Sequence, residues 1–82
     1  MADSRIRIYT RQWCEDSQAA KHFLSDRGIH FDEIDIEKNP DACQFIMSVN
    51  NGKQRTPTFE VDGRTFHCSP FDALKLTKEL KL

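Results

Sequence analysis

Apolar residues along the chain recur at spacings that change from those of a strand to those of a helix. Residues 5–10 are rich in β-branched and aromatic side chains, which predicts a short buried strand. In the next segment, Gln18 to Arg27, the apolar residues fall on one helical face. Gly28 follows and is a favourable residue just beyond a helix. A strand followed by a helix is therefore predicted for the first third of the chain.

The middle of the chain repeats this strand and helix. Residues 29–36 predict a second strand, and Asn39-Pro40 predicts a helix start, with Asn39 as N-cap and Pro40 in the first turn. The apolar stripe of this helix has the spacing i, i+3, i+4, i+7 and consists of Ala42, Phe45, Ile46 and Val49. Asn50-Asn51-Gly52 is expected to end the helix.

The last third predicts a hairpin and a final helix. Thr58 to Val61 alternates in polarity, Asp62-Gly63 is a strong two-residue turn, and Arg64 to His67 forms the return strand. The segment from Ser69 to Asp72 has capping-box spacing, with proline at the first helical position. The final helix is predicted to begin there.

The element order is therefore β-α-β-α-β-β-α, which predicts the α/β class. A strand–helix–strand connection is right-handed and makes its two strands parallel, whereas the hairpin adds an antiparallel pair. We expect a four-stranded mixed sheet covered by three helices. The 82 residues suffice for one domain, spanning 1–82, with a modest core.

Composition excludes several classes of function. The chain is 38% apolar and 30% charged, which is typical of a globular protein, and its net charge of −1 gives no case for nucleic acid or a membrane surface. No apolar run approaches the roughly 20 residues of a membrane span. The N-terminal residues lack the apolar segment of a secretory signal, so a cytoplasmic location is expected. We also expect a monomer.

Three cysteines carry the candidate chemistry, and no pair of them has metal-site spacing, so no structural metal is expected. Cys14 lies between the first strand and the first helix, where free backbone N–H groups and the helix dipole stabilise a thiolate. The thiolate is the nucleophile of thiol–disulfide exchange. Cys14 is thus the predicted nucleophile. Cys43 lies beside an apolar helical stripe and is interpreted as a core residue.

The neighbours of Cys14 give opposing indications of its acidity. Glu15 and Asp16 place like charges beside a thiolate and disfavour it, whereas Arg11 offsets one of them. Ser17 stands where a second cysteine would make a Cys-x-x-Cys motif, so this motif is Cys-x-x-Ser. A helix-start hydrogen bond is the favoured role of Ser17, which we also count among the candidate substrate-binding residues.

These features resemble the glutaredoxin branch of the thioredoxin fold. The resemblance keeps its order along nearly the whole chain and rests on Ile8-Tyr9-Thr10, Trp13-Cys14, Gly28-Ile29, Asp35-Ile36-Glu37, Thr56-Pro57 and Val61-Asp62-Gly63. The run from Asp35 to Asn39, together with Ser48 to Gly52, is most similar to the mycoredoxin-type members, which act on mycothiol mixed disulfides. Those members usually have two cysteines in the active motif, whereas this chain has one.

The resemblance implies how a substrate is held. It implies a cis Thr56-Pro57 bond beside Cys14, with Thr56 and Pro57 aligning the substrate next to Trp13. It also implies that Arg11 and the backbone N–H groups of Ser69, Phe71 and Asp72 hold the carboxylates of a small thiol. The Asp72 side chain is then placed to meet an amino group, and Arg55 adds a positive charge or is a solvated loop residue.

Two routes remain for releasing the substrate from Cys14. A low-molecular-weight thiol, glutathione or mycothiol-like, acts as co-substrate, or Cys68 acts as a resolving cysteine. Cys68 precedes the last helix, at a corner that in glutaredoxins borders the thiol groove. Family members usually carry Gly-Gly there, where this chain has His67-Cys68. A packed bystander cysteine is the alternative interpretation of Cys68.

The expected function is a thiol–disulfide oxidoreductase of glutaredoxin type with no bound cofactor. Its expected partners are disulfide-containing proteins, a small thiol, and a reductase or thiol pool as electron donor. One alternative is an iron–sulfur cluster carrier of the monothiol glutaredoxin type, which Glu15 and Asp16 disfavour because a cluster is already anionic. A non-catalytic thioredoxin-fold binding module is the other.

Overall fold

The computed structural model describes residues 6–82, so Arg5, placed in the first strand by the apolar pattern, lies outside the described residues. Strands and helices follow one another in the order predicted from the sequence. The elements are β1 (Ile6–Thr10), α1 (Glu15–Asp26), β2 (Asp32–Asp35), α2 (Pro40–Val49), β3 (Thr58–Val61), β4 (Arg64–His67) and α3 (Ala73–Leu80).

The four strands form one mixed sheet in the order β2-β1-β3-β4. β1 is parallel to β2 and antiparallel to β3, and β4 is antiparallel to β3. The predicted hairpin is confirmed: Asp62 and Gly63 both have positive φ, 51° and 83°, as a two-residue turn between twisted strands requires. The predicted mixed sheet is confirmed as well.

Helices cover both faces of the sheet because side chains alternate along each strand. Ile8 and Phe59 face α1 and α3, whereas Tyr9 faces α2. The larger core cluster contains Ile8, Ala20, Leu24, Phe59, Val61, Cys68 and Leu76. The smaller one contains Tyr9, Ile36, Ala42 and Ile46. This arrangement brings the end of β1 and the start of α1 next to the segment that leads into β3.

Two element boundaries and the burial of one residue differ from the sequence-based expectation. α1 begins at Glu15 rather than Gln18, because its first turn is polar and contributes nothing to the apolar period. β2 covers only Asp32–Asp35, because the apolar residues before it pack onto the core without joining the sheet. Val49, expected in the buried stripe of α2, is 39% exposed. α2 does start as expected, with the Asn39 side chain accepting a hydrogen bond from the Ala42 N–H.

The start of α3 also differs. Ser69 is not its N-cap and Pro70 is not in its first turn, since the helix begins at Ala73 with Asp72 as the capping residue. The Asp72 carboxylate accepts hydrogen bonds from the N–H groups of Leu74 (3.0 Å) and Lys75 (3.2 Å). Aspartate is a preferred N-cap, so the helix starts where this acceptor can satisfy two free donors. The Ser69–Pro70 peptide bond is cis.

Candidate active site

Cys14 lies at the junction predicted from the sequence and is the N-cap residue of α1. Its backbone carbonyl accepts a hydrogen bond from the Gln18 N–H (3.1 Å), while its side chain stays free of any capping bond. The half-buried thiol points across the site and donates to the carbonyl oxygen of Thr56, with a sulfur-to-oxygen distance of 3.4 Å. The sulfur is therefore held between the first turn of α1 and the segment before β3.

The pKa of the Cys14 thiol is lowered from its ordinary value of 9.0. Partial burial acts in the opposite direction, because it disfavours the charged form. Side-chain hydrogen bonds with Thr56 and Ser17, and backbone N–H groups of Ser17 and Asp16, outweigh that penalty. The thiolate is thus stabilised by donors at the helix start, as the position predicts.

Ser17 is completely buried. Its hydroxyl has no hydrogen-bond partner among residues 6–82, so the expected helix-start hydrogen bond is absent. The same hydroxyl lowers the pKa of Cys14. Ser17 is therefore placed to donate to the sulfur once the thiol has lost its proton, and its burial separates it from a bound substrate.

Trp13 and Arg11 form the exposed rim next to Cys14. Trp13 is 66% exposed, and its indole N–H donates to the Glu37 carboxylate at 2.9 Å. The Arg11 guanidinium lies 4.7 Å from the centre of the Trp13 ring and donates to the backbone carbonyl of Gln54. These contacts fix the aromatic ring in place. The family resemblance assigns Arg11 to binding the carboxylate of a ligand. In this structure, part of its charge is already engaged by Gln54 and Trp13.

The opposite wall of the site is the Thr56–Pro57 segment. Its peptide bond is cis, which confirms the expectation drawn from the resemblance. Both residues are buried, and the Pro57 carbonyl accepts a hydrogen bond from the Cys68 N–H at 3.0 Å. Arg55 precedes them and is partly exposed; its positive charge, after burial and Lys75, helps to lower the pKa of His67.

Cys68 lies in the core on the α1 and α3 side of the sheet and is fully buried. Its sulfur accepts a hydrogen bond from the Asp72 N–H at 3.2 Å and lies 3.4 Å from the Asp72 carbonyl oxygen. Burial raises the pKa of its thiol above 9.0, and the charges of Asp72 and Asp16 act in the same direction. All three cysteines are free. Cys43 is half-buried and packs against the smaller core cluster, in agreement with its interpretation as a core residue.

Two of the N–H groups before α3, those of Phe71 and Asp72, already have partners inside the protein. The Phe71 N–H donates to the Asp16 carboxylate at 3.1 Å, and the Asp72 N–H donates to the Cys68 sulfur. The next two free N–H groups bond to the Asp72 side chain. The expectation that the Phe71 and Asp72 N–H groups stay open for a ligand's carboxylate is therefore wrong.

Asp16 is the site residue whose contact the sequence did not indicate. The sequence shows only a charge beside Cys14, whereas the structure joins that charge to the chain 55 positions away. A polar contact at this separation leaves no periodic signal. Neighbouring charges could be read from the sequence, but the partner of Asp16 could not.

A half-buried cysteine at the first helix start, opposite a cis-proline segment, on a sheet of order β2-β1-β3-β4, defines the thioredoxin-fold class. The glutaredoxin family model matches residues 6–66, and the chain belongs to the glutaredoxin family. It is therefore a glutaredoxin-like redox protein.

Two curated relatives and two solved structures cover most of the chain. A Mycobacterium tuberculosis (strain H37Rv) protein with the provisional name glutaredoxin is 37% identical over 76 residues, covering 92% of this chain and 90% of that protein. Mycoredoxin 1 of Corynebacterium glutamicum is 28% identical over 75 residues, covering 92% of each chain. The structure of NrdH-redoxin from Escherichia coli, a glutaredoxin-like protein, superposes with a TM-score of 0.68 at 27% identity, covering 77% of this chain and 80% of that one. A glutaredoxin from Archaeoglobus fulgidus gives 0.79 at 17% identity, covering 96% and 88%, which shows the shared fold.

Residues 6–82 contain no candidate membrane-spanning helix and no candidate metal-binding cluster. No helix in this range has the length and apolar character needed to cross a membrane. Within the same range, no three His, Cys, Asp or Glu side chains are grouped so that they could hold a metal ion.

Proposed function

We propose that the protein is a monothiol glutaredoxin-like oxidoreductase that reduces mixed disulfides between proteins and a small thiol. The observation that carries this proposal is the Cys14 thiol, half-buried at a helix start, with a lowered pKa and an exposed tryptophan beside it. A thiol with these properties is nucleophilic and accessible, as exchange requires.

The reaction proceeds in two exchanges. The Cys14 thiolate attacks the small-thiol sulfur of the mixed disulfide, so that the old S–S bond breaks and the protein substrate leaves as a thiolate, which takes up a proton. A second small thiol, as its thiolate, then attacks the sulfur that Cys14 carries. This step releases the symmetric small disulfide and regenerates the Cys14 thiolate. Overall, the sulfur of the second small thiol is oxidised to the disulfide level, and the sulfur of the protein substrate is reduced to its thiol.

The observations favour a small thiol over Cys68 for the second exchange. Cys68 is fully buried, its sulfur is engaged by Asp72, and its pKa is raised, all of which disfavour attack on a disulfide at Cys14. The similarity to Mycoredoxin 1 supports a mycothiol-like thiol as co-substrate, with glutathione as the other candidate. A reductase or the cellular thiol pool then reduces the symmetric disulfide.

The groups that we propose to hold the substrate come from three segments of the chain. Trp13 offers an exposed aromatic face, Thr56 and Pro57 line the opposite wall, and Arg55 adds a positive charge beyond them. Arg11 holds the rim by its contacts with Trp13 and Gln54. Asp72 binds its capping N–H groups through one oxygen, Oδ1, and is exposed, so its carboxylate is also placed to meet an amino group of the thiol.

The test is turnover of a protein labelled with a small thiol through a mixed disulfide, in the presence of that thiol and its reductase. We expect wild-type protein, Cys68→Ser and the control Cys43→Ser to turn over at similar rates, and Cys14→Ser to be inactive. If Cys14→Ser retains activity, Cys14 is not the nucleophile and the proposal is wrong. If Cys68→Ser alone loses turnover while it remains folded, the resolving step belongs to Cys68.

A further inference from the structure

The surroundings of Cys14 differ in charge from one side to the other. Glu15 and Asp16 follow it on α1, and Glu37 contacts the Trp13 ring. On the other side, Arg55 lies with His67 and Lys75 beyond Thr56. Arg11 is the remaining cation of the rim, and it is engaged by the Gln54 carbonyl and the Trp13 ring. Asp16 therefore brings a negative charge to the junction of α1 with the segment before α3, whereas Lys75 of α3 lies with His67 and Arg55.

Asp16 disfavours an anionic ligand in two ways, through its own negative charge and through the N–H group that it occupies. Its carboxylate accepts a hydrogen bond from the Phe71 N–H at 3.1 Å. This N–H is a donor that the carboxylate of a bound ligand would otherwise use. The Asp72 N–H donates to the Cys68 sulfur, and the next two N–H groups donate to the Asp72 carboxylate. Pro70 has no N–H to offer. A negatively charged thiol approaching here meets a like charge, and the Phe71 and Asp72 N–H groups are already engaged, so these two donors do not compensate its desolvation.

We propose that Asp16 is a specificity-determining residue that selects against negatively charged thiols and favours uncharged ones at Cys14. This inference rests on the proposed function, since it concerns which thiol exchanges with Cys14. Asp16 acts as a built-in carboxylate, because it occupies the Phe71 N–H that the anion of a ligand would otherwise use. Uncharged groups, such as hydroxyls or amides, have no repulsion to overcome.

The test uses two small symmetric disulfides of similar size, 2-hydroxyethyl disulfide (uncharged) and 3,3′-dithiodipropionate (one carboxylate at each end). The Cys14 thiolate attacks one sulfur, forms the mixed disulfide and releases the other half as a thiolate. Intact mass and peptide mapping follow the adduct at Cys14. Each rate constant is divided by that of free 2-mercaptoethanol at the same pH and salt concentration, which removes the intrinsic difference between the two disulfides.

We expect the wild-type protein to prefer the uncharged disulfide by at least about fivefold, the size of effect that one unscreened surface charge can produce. Asp16→Asn keeps an acceptor for the Phe71 N–H and removes the charge, so the preference should fall to near unity. Any change in the pKa of Cys14 alters both rates equally and cancels in the ratio. The matched control is Asp41→Asn, an exposed aspartate in the first turn of α2, which should keep the wild-type ratio.

A second measurement needs no variant. Because salt screens surface charges, raising the salt concentration from 0.05 to roughly 0.5 M should reduce the wild-type preference. A wild-type ratio near unity, or an Asp16→Asn ratio equal to that of wild type, would overturn the inference while leaving Cys14 reactive. Absence of reaction with both disulfides would instead overturn the proposed function, so the two failures are distinguishable.

Discussion

At the scale of single residues, the acidity of Cys14 depends more on directed donors than on nearby charges. The sequence places Glu15 and Asp16 beside the thiol, which favours the neutral form. The pKa is nevertheless lowered, because the side chains of Thr56 and Ser17 and the first backbone N–H groups of α1 favour the thiolate by hydrogen bonding. Charge-assisted hydrogen bonds are among the strongest in proteins, whereas Glu15 is exposed to water and the Asp16 carboxylate is engaged by the Phe71 N–H.

Ser17→Ala should make the Cys14 thiol less acidic. The buried hydroxyl of Ser17 lowers the pKa of Cys14, so its removal shifts the pH midpoint of alkylation upward and slows alkylation at pH 7 by up to about tenfold. The measurement is the rate of reaction with iodoacetamide as a function of pH. Ser48→Ala is the control, since the Ser48 hydroxyl donates to the Phe45 carbonyl on α2. An unshifted midpoint in Ser17→Ala would show that the hydroxyl does not act on the sulfur.

At the scale of elements, the start of α3 combines a helix cap with the edge of the site. Asp72 caps the helix, its backbone N–H engages Cys68, and the preceding residue is held by Asp16. The Asp72 side chain therefore has two roles to separate. One is the capping of α3, and the other is the proposed binding of a thiol. Two substitutions at this one position separate them.

Asp72→Ala removes the cap and should lower the free energy of unfolding by about 1 kcal/mol, whereas Asp72→Asn retains a good capping acceptor and should cost only a few tenths. We expect Asp72→Asn to raise the KM for an amine-bearing small thiol, because the negative charge is lost. Urea unfolding measures the first effect and steady-state kinetics the second. An unchanged KM in a stable Asp72→Asn protein would limit Asp72 to capping.

Elements whose signals are local could be predicted from the sequence, and those that depend on distant partners could not. The β3–turn–β4 hairpin was predicted correctly because Asp62-Gly63 fixes the turn by itself. The start of α3 was predicted too early because the capping-box spacing at Ser69 competes with a second acceptor at Asp72.

The candidate site shows the same division. Cys14 was found from its place between two elements, and the cis Thr56–Pro57 bond from the family resemblance. Outside the site, the burial of Asn50, whose amide donates to the Ile46 carbonyl and the Thr58 hydroxyl, was not predicted. It depends on how α2 packs against β3, which no local pattern records.

At the scale of the whole molecule, the site depends on a small core. Phe59 is fully buried in the centre of the sheet, opposite Ile8 on β1, and its ring stacks on Phe66 with centroids 5.1 Å apart. β3 begins directly after Pro57, so packing at Phe59 also supports the wall of the site. Small domains have little stability to spare, and a cavity here affects the entire fold.

Phe59→Ala should lower the free energy of unfolding by about 3–5 kcal/mol, because it removes a buried ring and leaves a cavity. Leu74→Ala is the matched control: Leu74 is 77% exposed, and its loss should change stability by no more than about 0.5 kcal/mol. Urea unfolding followed by circular dichroism measures both. Equal stabilities of the two variants would contradict the assignment of Phe59 to the core.

The lowered pKa of Cys14 also links folding to pH. Since the pKa is lower in the folded chain than the unfolded value of 9.0, the thiolate stabilises the folded state, fully above pH 9 and not at all below the folded pKa. The difference in unfolding free energy between wild type and Cys14→Ser should therefore rise with pH across that window. Taking the difference cancels the raised pKa values of Tyr9 and Cys68, which act in the opposite direction. A difference that is flat or falls with pH would contradict this assignment.

The most direct test of the central claim is the identity of the disulfide that forms at Cys14. Wild-type protein is treated with 2-hydroxyethyl disulfide, then alkylated and examined by intact mass and peptide mapping. We expect a single added hydroxyethyl thiol on Cys14, with Cys68 unmodified until the protein is unfolded. A Cys14–Cys68 disulfide, lost in Cys68→Ser, would contradict the monothiol mechanism and would require the β4–α3 segment to move Cys68 out of the core.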